Sequence, residues 1–143
     1  MRTQLAATEC VNLEMSNLVQ APRATGFEKW RDGLSGASKH TRWNKWDHEI
    51  QTAVSEYKQH LYQYAGFFSL DWRLIKAMVW VETGADSPEW NVKPVQIGVP
   101  GDPGLKSLLS AEEGGDLILP PLWRGRLTIA TVRSSPVHNI RVG

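Results

Sequence analysis

The sequence predicts a mainly α-helical domain, and three observations carry that expectation. Two stretches repeat apolar residues at helical spacing. No pair of segments alternates apolar and polar residues as half-buried strands do. Gly and Pro cut the remainder into pieces too short for long regular elements. A chain of 143 residues suits one domain built around a single core.

The elements follow in order. Residues 8–19 predict a short helix, with Thr8 as N-cap and Val11, Met15, Leu18 and Val19 on one side. Pro22 and the Gly- and Ser-rich run 31–41 read as linker, so residues 1–41 form an appendage and 42–143 the domain. Few buried contacts are expected for residues 31–41. Residues 44–63 predict a stronger helix, because Ile50, Ala53, Val54, Tyr57 and Leu61 recur at i, i+3, i+4, i+7 and i+11. Asn44 or Asp47 is placed to cap its start, and Gly66 ends the pattern.

The third helix spans 70–84, with Asp71 as N-cap and Leu74, Ile75, Met78 and Val79 as its apolar stripe. Gly84 stands where a left-handed C-cap is expected. Residues 85–125 are dense in Pro and Gly and predict one short helix, Leu105 to Ser110. A last helix begins near Pro136 and is not completed.

Composition excludes several functions. Net charge is +1 and the basic residues are scattered among acids, so no nucleic-acid footprint is present. Cys10 is the lone cysteine, which excludes an intrachain disulfide. No window approaches the roughly 20 apolar residues of a membrane span. The start, MRTQLAATEC, lacks the apolar run of a signal peptide, so action outside the cytoplasm requires another export route. His40, His48, His60 and His138 show no metal-ligand spacing, and neither a metal nor a cofactor is expected. The run Gly98–Gly104 lacks the Lys-Ser/Thr of a phosphate loop, and no Gly-x-Ser-x-Gly motif occurs.

Two features bear on chemistry. Seven Trp are an unusual number for this length. Their faces stack on sugar rings, yet spacing alone gathers no two of them in one groove, and most are expected in the core. Glu82 lies i+3 from Val79, i+4 from Met78 and i+7 from Ile75, which extends the stripe of the third helix. Desolvation there and the negative end of the helix dipole both favour a protonated carboxyl. That is the state a glycosidase acid requires. The plain alternative is a terminal-turn Glu bent out to solvent.

The blocks IKAMVWVETGADSP, KPVQIGVPGDPGL and NIRVG together resemble the goose-type, lysozyme-like lytic transglycosylases over residues 70–143. Glu82-Thr83 stands where that family places its catalytic Glu and a following Ser. Val95-Gln96 matches a Met-Gln pair, and Asn139-Ile140 with Gly143 matches the third block. The wording of the middle block resembles a bacterial branch near secreted effectors, which brings a secretion apparatus or immunity protein among expected partners. The resemblance implies a helical lysozyme-like fold without the family's later helices and their Ala-Tyr-Asn motif, so apolar surface on the third helix is expected to lie exposed.

The resemblance further implies cleavage of peptidoglycan glycan strands between N-acetylmuramic acid and N-acetylglucosamine. Glu82 would protonate the bridging oxygen, then act as base while the muramoyl C6 hydroxyl attacks C1, giving a 1,6-anhydro product. No second carboxylate is then required, unlike the usual two-carboxylate glycosidase. Thr83, Gln96 and Asn139 are expected around the substrate. Gln96 either bonds sugar or pins the loop to the helix, and Asn139 holds the backbone there. A hydrolytic muramidase would need a second acid from Asp86, Asp102 or Asp116, each of which also reads as a turn or cap residue. A catalytically silent glycan- or partner-binding module is the competing class.

Overall fold

The computed structural model describes residues 25–143, whose regular structure is entirely helical. The helix expected over 8–19 and Pro22 lie outside the described residues. Helix α1 (Gly26–Ala37) opens with a capping box in which the Thr25 hydroxyl accepts from the Glu28 N–H at 3.2 Å. The Glu28 carboxylate in turn accepts from the Thr25 N–H at 2.8 Å. Residues 31–37, read from the sequence as linker, are therefore the last turns of a helix. Leu34 packs against the core and Ala37 is buried in it. The cap and this contact outweigh Gly33 and Gly36, each of which costs roughly 1 kcal/mol in a helix.

A 3-10 turn (Thr41–Asn44) leads into α2 (Asp47–Leu61), which buries Ile50 and Ala53 as the spacing predicts. Neither Asn44 nor Asp47 caps it. The N-cap position is Trp46, with no side-chain bond, and both polar residues face Lys76 of α3 (Trp72–Glu82) instead.

Asp71 caps α3 through the Arg73 N–H at 2.9 Å. The Arg73 guanidinium and this N–H hold the exposed Asp71 carboxyl down at about 2. Gly84, at φ +71°, supplies the expected left-handed turn after the helix.

The buried face of α3 differs from the expected stripe. Lys76, Val79 and Trp80 are buried with Ile75 half-buried, whereas Leu74 and Met78 are 52% and 54% exposed. Lys76 causes the rotation. Its ammonium lies 2.8 Å from Asn44 Oδ1 and 2.7 Å from the Asp47 carboxylate, over the ring of Trp43. A buried ammonium is stable only when paired in this way.

Trp80 meets Trp43 edge-on at 3.9 Å between centroids and Trp90 at 5.7 Å, and the Trp46 indole N–H donates to the Trp90 carbonyl at 2.9 Å. Most of the Trp residues are core, as expected. Trp30 is the exposed one, 46% accessible on α1.

Residues 85–125 hold more helix than the sequence suggests, in short pieces: a 3-10 turn (Pro88–Asn91), α4 (Pro103–Leu109), α5 (Gly115–Ile118) and α6 (Pro121–Arg124). Pro stands at the start of three of these, where its missing N–H costs nothing. α7 (Ile129–Ser134) and α8 (Pro136–Val142) complete the chain. One core gathers Ile50, Val79, Trp80, Trp90 and Ile140, and a second gathers Leu105, Trp123, Leu127, Val132 and Val142. Helix α8 contributes to both. Its Arg141 pairs with Glu56 of α2 at 3.0 Å and stacks over Trp123 at 4.2 Å, so α2, α6 and α8 are joined at one buried charge pair. No described helix is long and apolar enough to cross a membrane.

Candidate functional site

The end of α3 places Glu82, and its side chain is exposed. The core-facing position expected for it is not met: the Lys76 anchor turns the buried face away, and Glu82 falls at its edge beside exposed Met78 and Val81. Of the apolar stripe expected to lie uncovered on this helix, Leu74 and Met78 are exposed, whereas Val79 is buried and Ile75 half-buried.

Thr83 follows at the C-cap. Its hydroxyl lies 2.6 Å from the Pro94 carbonyl and 3.1 Å from that of Val79. This clasp fastens the end of α3 to the turn that carries Gln96. The Gln96 N–H donates to the Lys93 carbonyl at 3.0 Å, and Gln96 itself holds φ +58°, a left-handed conformation that a non-glycine residue adopts at a cost.

Asn139 of α8 keeps that turn in shape. It has no solvent exposure. Its Oδ1 accepts from the Val95 N–H at 2.9 Å, and its Nδ2 donates to the Ile97 carbonyl at 3.0 Å and, at 3.5 Å, to that of Val132. Asn139 thus grips both neighbours of Gln96. Gly143 lies so close to Val95 that a Cβ there would stand 2.1 Å from Val95 Cγ1. Three blocks distant in sequence meet through these contacts: Glu82-Thr83, Val95-Gln96, and Asn139 with Gly143.

The roles divide differently from the expectation of shared substrate contact. Asn139 is buried and its amide is spent on backbone, so it positions the turn and touches no ligand. The Thr83 hydroxyl is likewise committed to carbonyls. Because Thr83 and Asn139 do the pinning, the half-buried Gln96 amide has no hydrogen-bond partner among the described residues.

None of the second acids considered shares this arrangement. Asp86 pairs with Arg42 at 2.8 Å on the surface. Asp102 caps α4, accepting from Gly98 and Gly104 N–H groups at 2.9 Å each, and these bonds hold its carboxyl below the ordinary range. Asp116 is exposed on α5, its peptide carbonyl accepting from Arg124.

Lys76 is the residue that sequence reasoning passed over, although a lone Lys inside an apolar helix, with Asn44 and Asp47 at the start of α2, is a readable signal. No cluster of His, Cys, Asp or Glu among the described residues is arranged to hold a metal. Glu82 lines none of the concavities formed beside α2 and α6 by the described residues.

No family model matches the chain, and no curated protein or solved structure matches it.

Proposed function

We propose that this chain carries the catalytic acid of a lysozyme-like peptidoglycan lytic transglycosylase, with Glu82 as that acid and Gln96 as its sugar-binding neighbour. The observation that supports the reading is the convergence of the three blocks. Thr83 bonds to Pro94, and Asn139 bonds on both sides of Gln96, so a carboxyl and an unengaged amide are held on two segments fastened to each other. The strained φ of Gln96 fits a positioned side chain, since strain is commonly stored where orientation matters.

In the reaction, the Glu82 carboxyl gives its proton to the glycosidic oxygen as the bond to muramoyl C1 breaks. The resulting carboxylate then takes the proton of the C6 hydroxyl while that oxygen bonds to C1. Glu82 ends protonated, and the product is the 1,6-anhydro sugar. Catalysis of this kind needs one well-placed acid-base group and no external nucleophile. Because Glu82 is exposed, the glycan itself must exclude water from the carboxyl.

The mass of muropeptides released from purified sacculi tests the reading. Anhydro products are expected, and Glu82→Gln should abolish them with the melting temperature unchanged, because Gln keeps the shape but holds no transferable proton. Reducing-end products would make the enzyme a muramidase instead. Release by Glu82→Gln equal to wild type would remove Glu82 from the role. The exposure of Glu82 favours a second reading in which this surface binds glycan or a partner without turnover. Sacculus binding without release would support it.

A further inference from the structure

A cleft of about 370 Å³ lies along the C-terminal half of α2, and the proposed reaction does not use it. Its wall is apolar, formed by Val54, Leu61, Leu70, Ile75, Ile118 and Ile140 among others. Cavities of this size and lining are the usual seats of small apolar ligands.

The polar side chains at the wall are accounted for one by one. The Tyr57 hydroxyl donates to the Arg141 carbonyl at 2.5 Å. The Arg141 guanidinium turns out of the cleft to Glu56 and Trp123. Lys58 remains. It is exposed at the rim, and no carboxylate lies within ion-pair distance of it among the described residues.

A second depression of about 360 Å³, its lining more mixed in polarity, adjoins the cleft and shares Val54, Lys58 and Leu70 with it. Gln51, Ser55 and Ser69 line this part, together with the self-neutralising pair Asp71 and Arg73. The two concavities thus place a cation with no ion-pair partner among the described residues at the junction of a wet half and a dry half.

We propose that this joined cleft binds a fatty-acid anion, its hydrocarbon chain along the apolar wall and its carboxylate against the Lys58 ammonium. Burying the tail removes chain and wall from water together, which is the larger gain. The carboxylate at Lys58 fixes the direction of entry. With roughly 30 Å³ for each water-sized group, the dry half holds about a dozen carbons.

Calorimetric titration of the full chain with dodecanoate below its micelle concentration tests this. Saturable one-to-one binding is expected, and each methylene removed from the chain should weaken it about fourfold. Lys58→Glu should weaken dodecanoate at least tenfold and leave dodecanol unaffected. Leu61→Trp, which fills the cleft from its side, should abolish binding of both. Methyl resonances of Leu61, Ile75, Ile118 and Ile140 in the wild-type protein should shift on titration, and this readout does not depend on either variant folding. Absence of saturable binding, or methyl shifts scattered away from the cleft, would overturn the proposal. So would dodecanoate binding that Lys58→Glu leaves intact, because the anion would then have no partner at the rim.

Discussion

Replacing Asn139 by Ala tests whether one buried amide holds the Gln96 turn. The substitution removes an acceptor 2.9 Å from the Val95 N–H and a donor 3.0 Å from the Ile97 carbonyl, at a position with no solvent exposure. Each buried group left unpaired costs about 1–3 kcal/mol. Two such groups give about 2–6 kcal/mol, and a water entering the space left by the amide would re-pair one of them and bring the loss to about 1–3 kcal/mol. The contact at 3.5 Å to Val132 adds little.

Set against a total stability of roughly 5–15 kcal/mol, this loss is large enough to read in urea unfolding, as a lower midpoint at constant slope. A midpoint shift worth less than about 0.5 kcal/mol would refute the reasoning, since that is the scale of an ordinary surface change. Asn139→Asp adds a sign. One carboxyl oxygen still accepts from Val95, but the other meets two carbonyls and is tolerated there only as a protonated donor. Folding then favours the protonated form, so stability is full below the ordinary Asp range and is lost as pH rises through the raised folded value.

The other expectations are shorter. Thr83→Val keeps the side-chain shape but leaves the Pro94 carbonyl without its partner at 2.6 Å, which should lower stability by about 1–3 kcal/mol in the same assay, while Thr83→Ser should retain the clasp. Glu56→Ala strands the Arg141 guanidinium, 7% exposed, and should cost about 3–5 kcal/mol, read as a lower melting temperature. Asp102 is held below its ordinary range by the Gly98 and Gly104 N–H groups, so its contribution is present above the unfolded-state value and lost as pH falls through the folded one. Melting curves of Asp102→Asn should therefore fall less steeply with acid than those of wild type.

The fold was legible where local chemistry decides it. Periodicity places α2, the Asp71 cap and Gly84 place the ends of α3, and Pro136 marks the start of α8. Residues 31–37 misled because Gly and Ser suggest linker, while the deciding facts are the box of Thr25 and Glu28 and the packing of Leu34 on distant residues. The short helices of 85–125 escaped because each is stabilised by its own cap and by tertiary contact, with too few turns to show a period.

The site divides along the same line. The three ordered blocks mark segments that touch in the fold, through Thr83 with the Pro94 carbonyl and Asn139 with Val95 and Ile97. What the sequence could not carry was the facing of Glu82. Counting from Ile75, Met78 and Val79 places it on the buried stripe, because a lysine weighs against burial in any apolar count. Lys76 is nevertheless buried, since Asn44, Asp47 and the Trp43 ring receive its charge. Those partners come from around the start of α2, about thirty residues away, and no window along α3 includes them. Their pull turns Val79 and Trp80 fully inward and leaves Met78, Val81 and Glu82 to solvent. The cation that anchors the helix is thus also what presents the carboxyl. A catalytic reading of Glu82 therefore rests on a glycan covering it, with the core serving only to aim it.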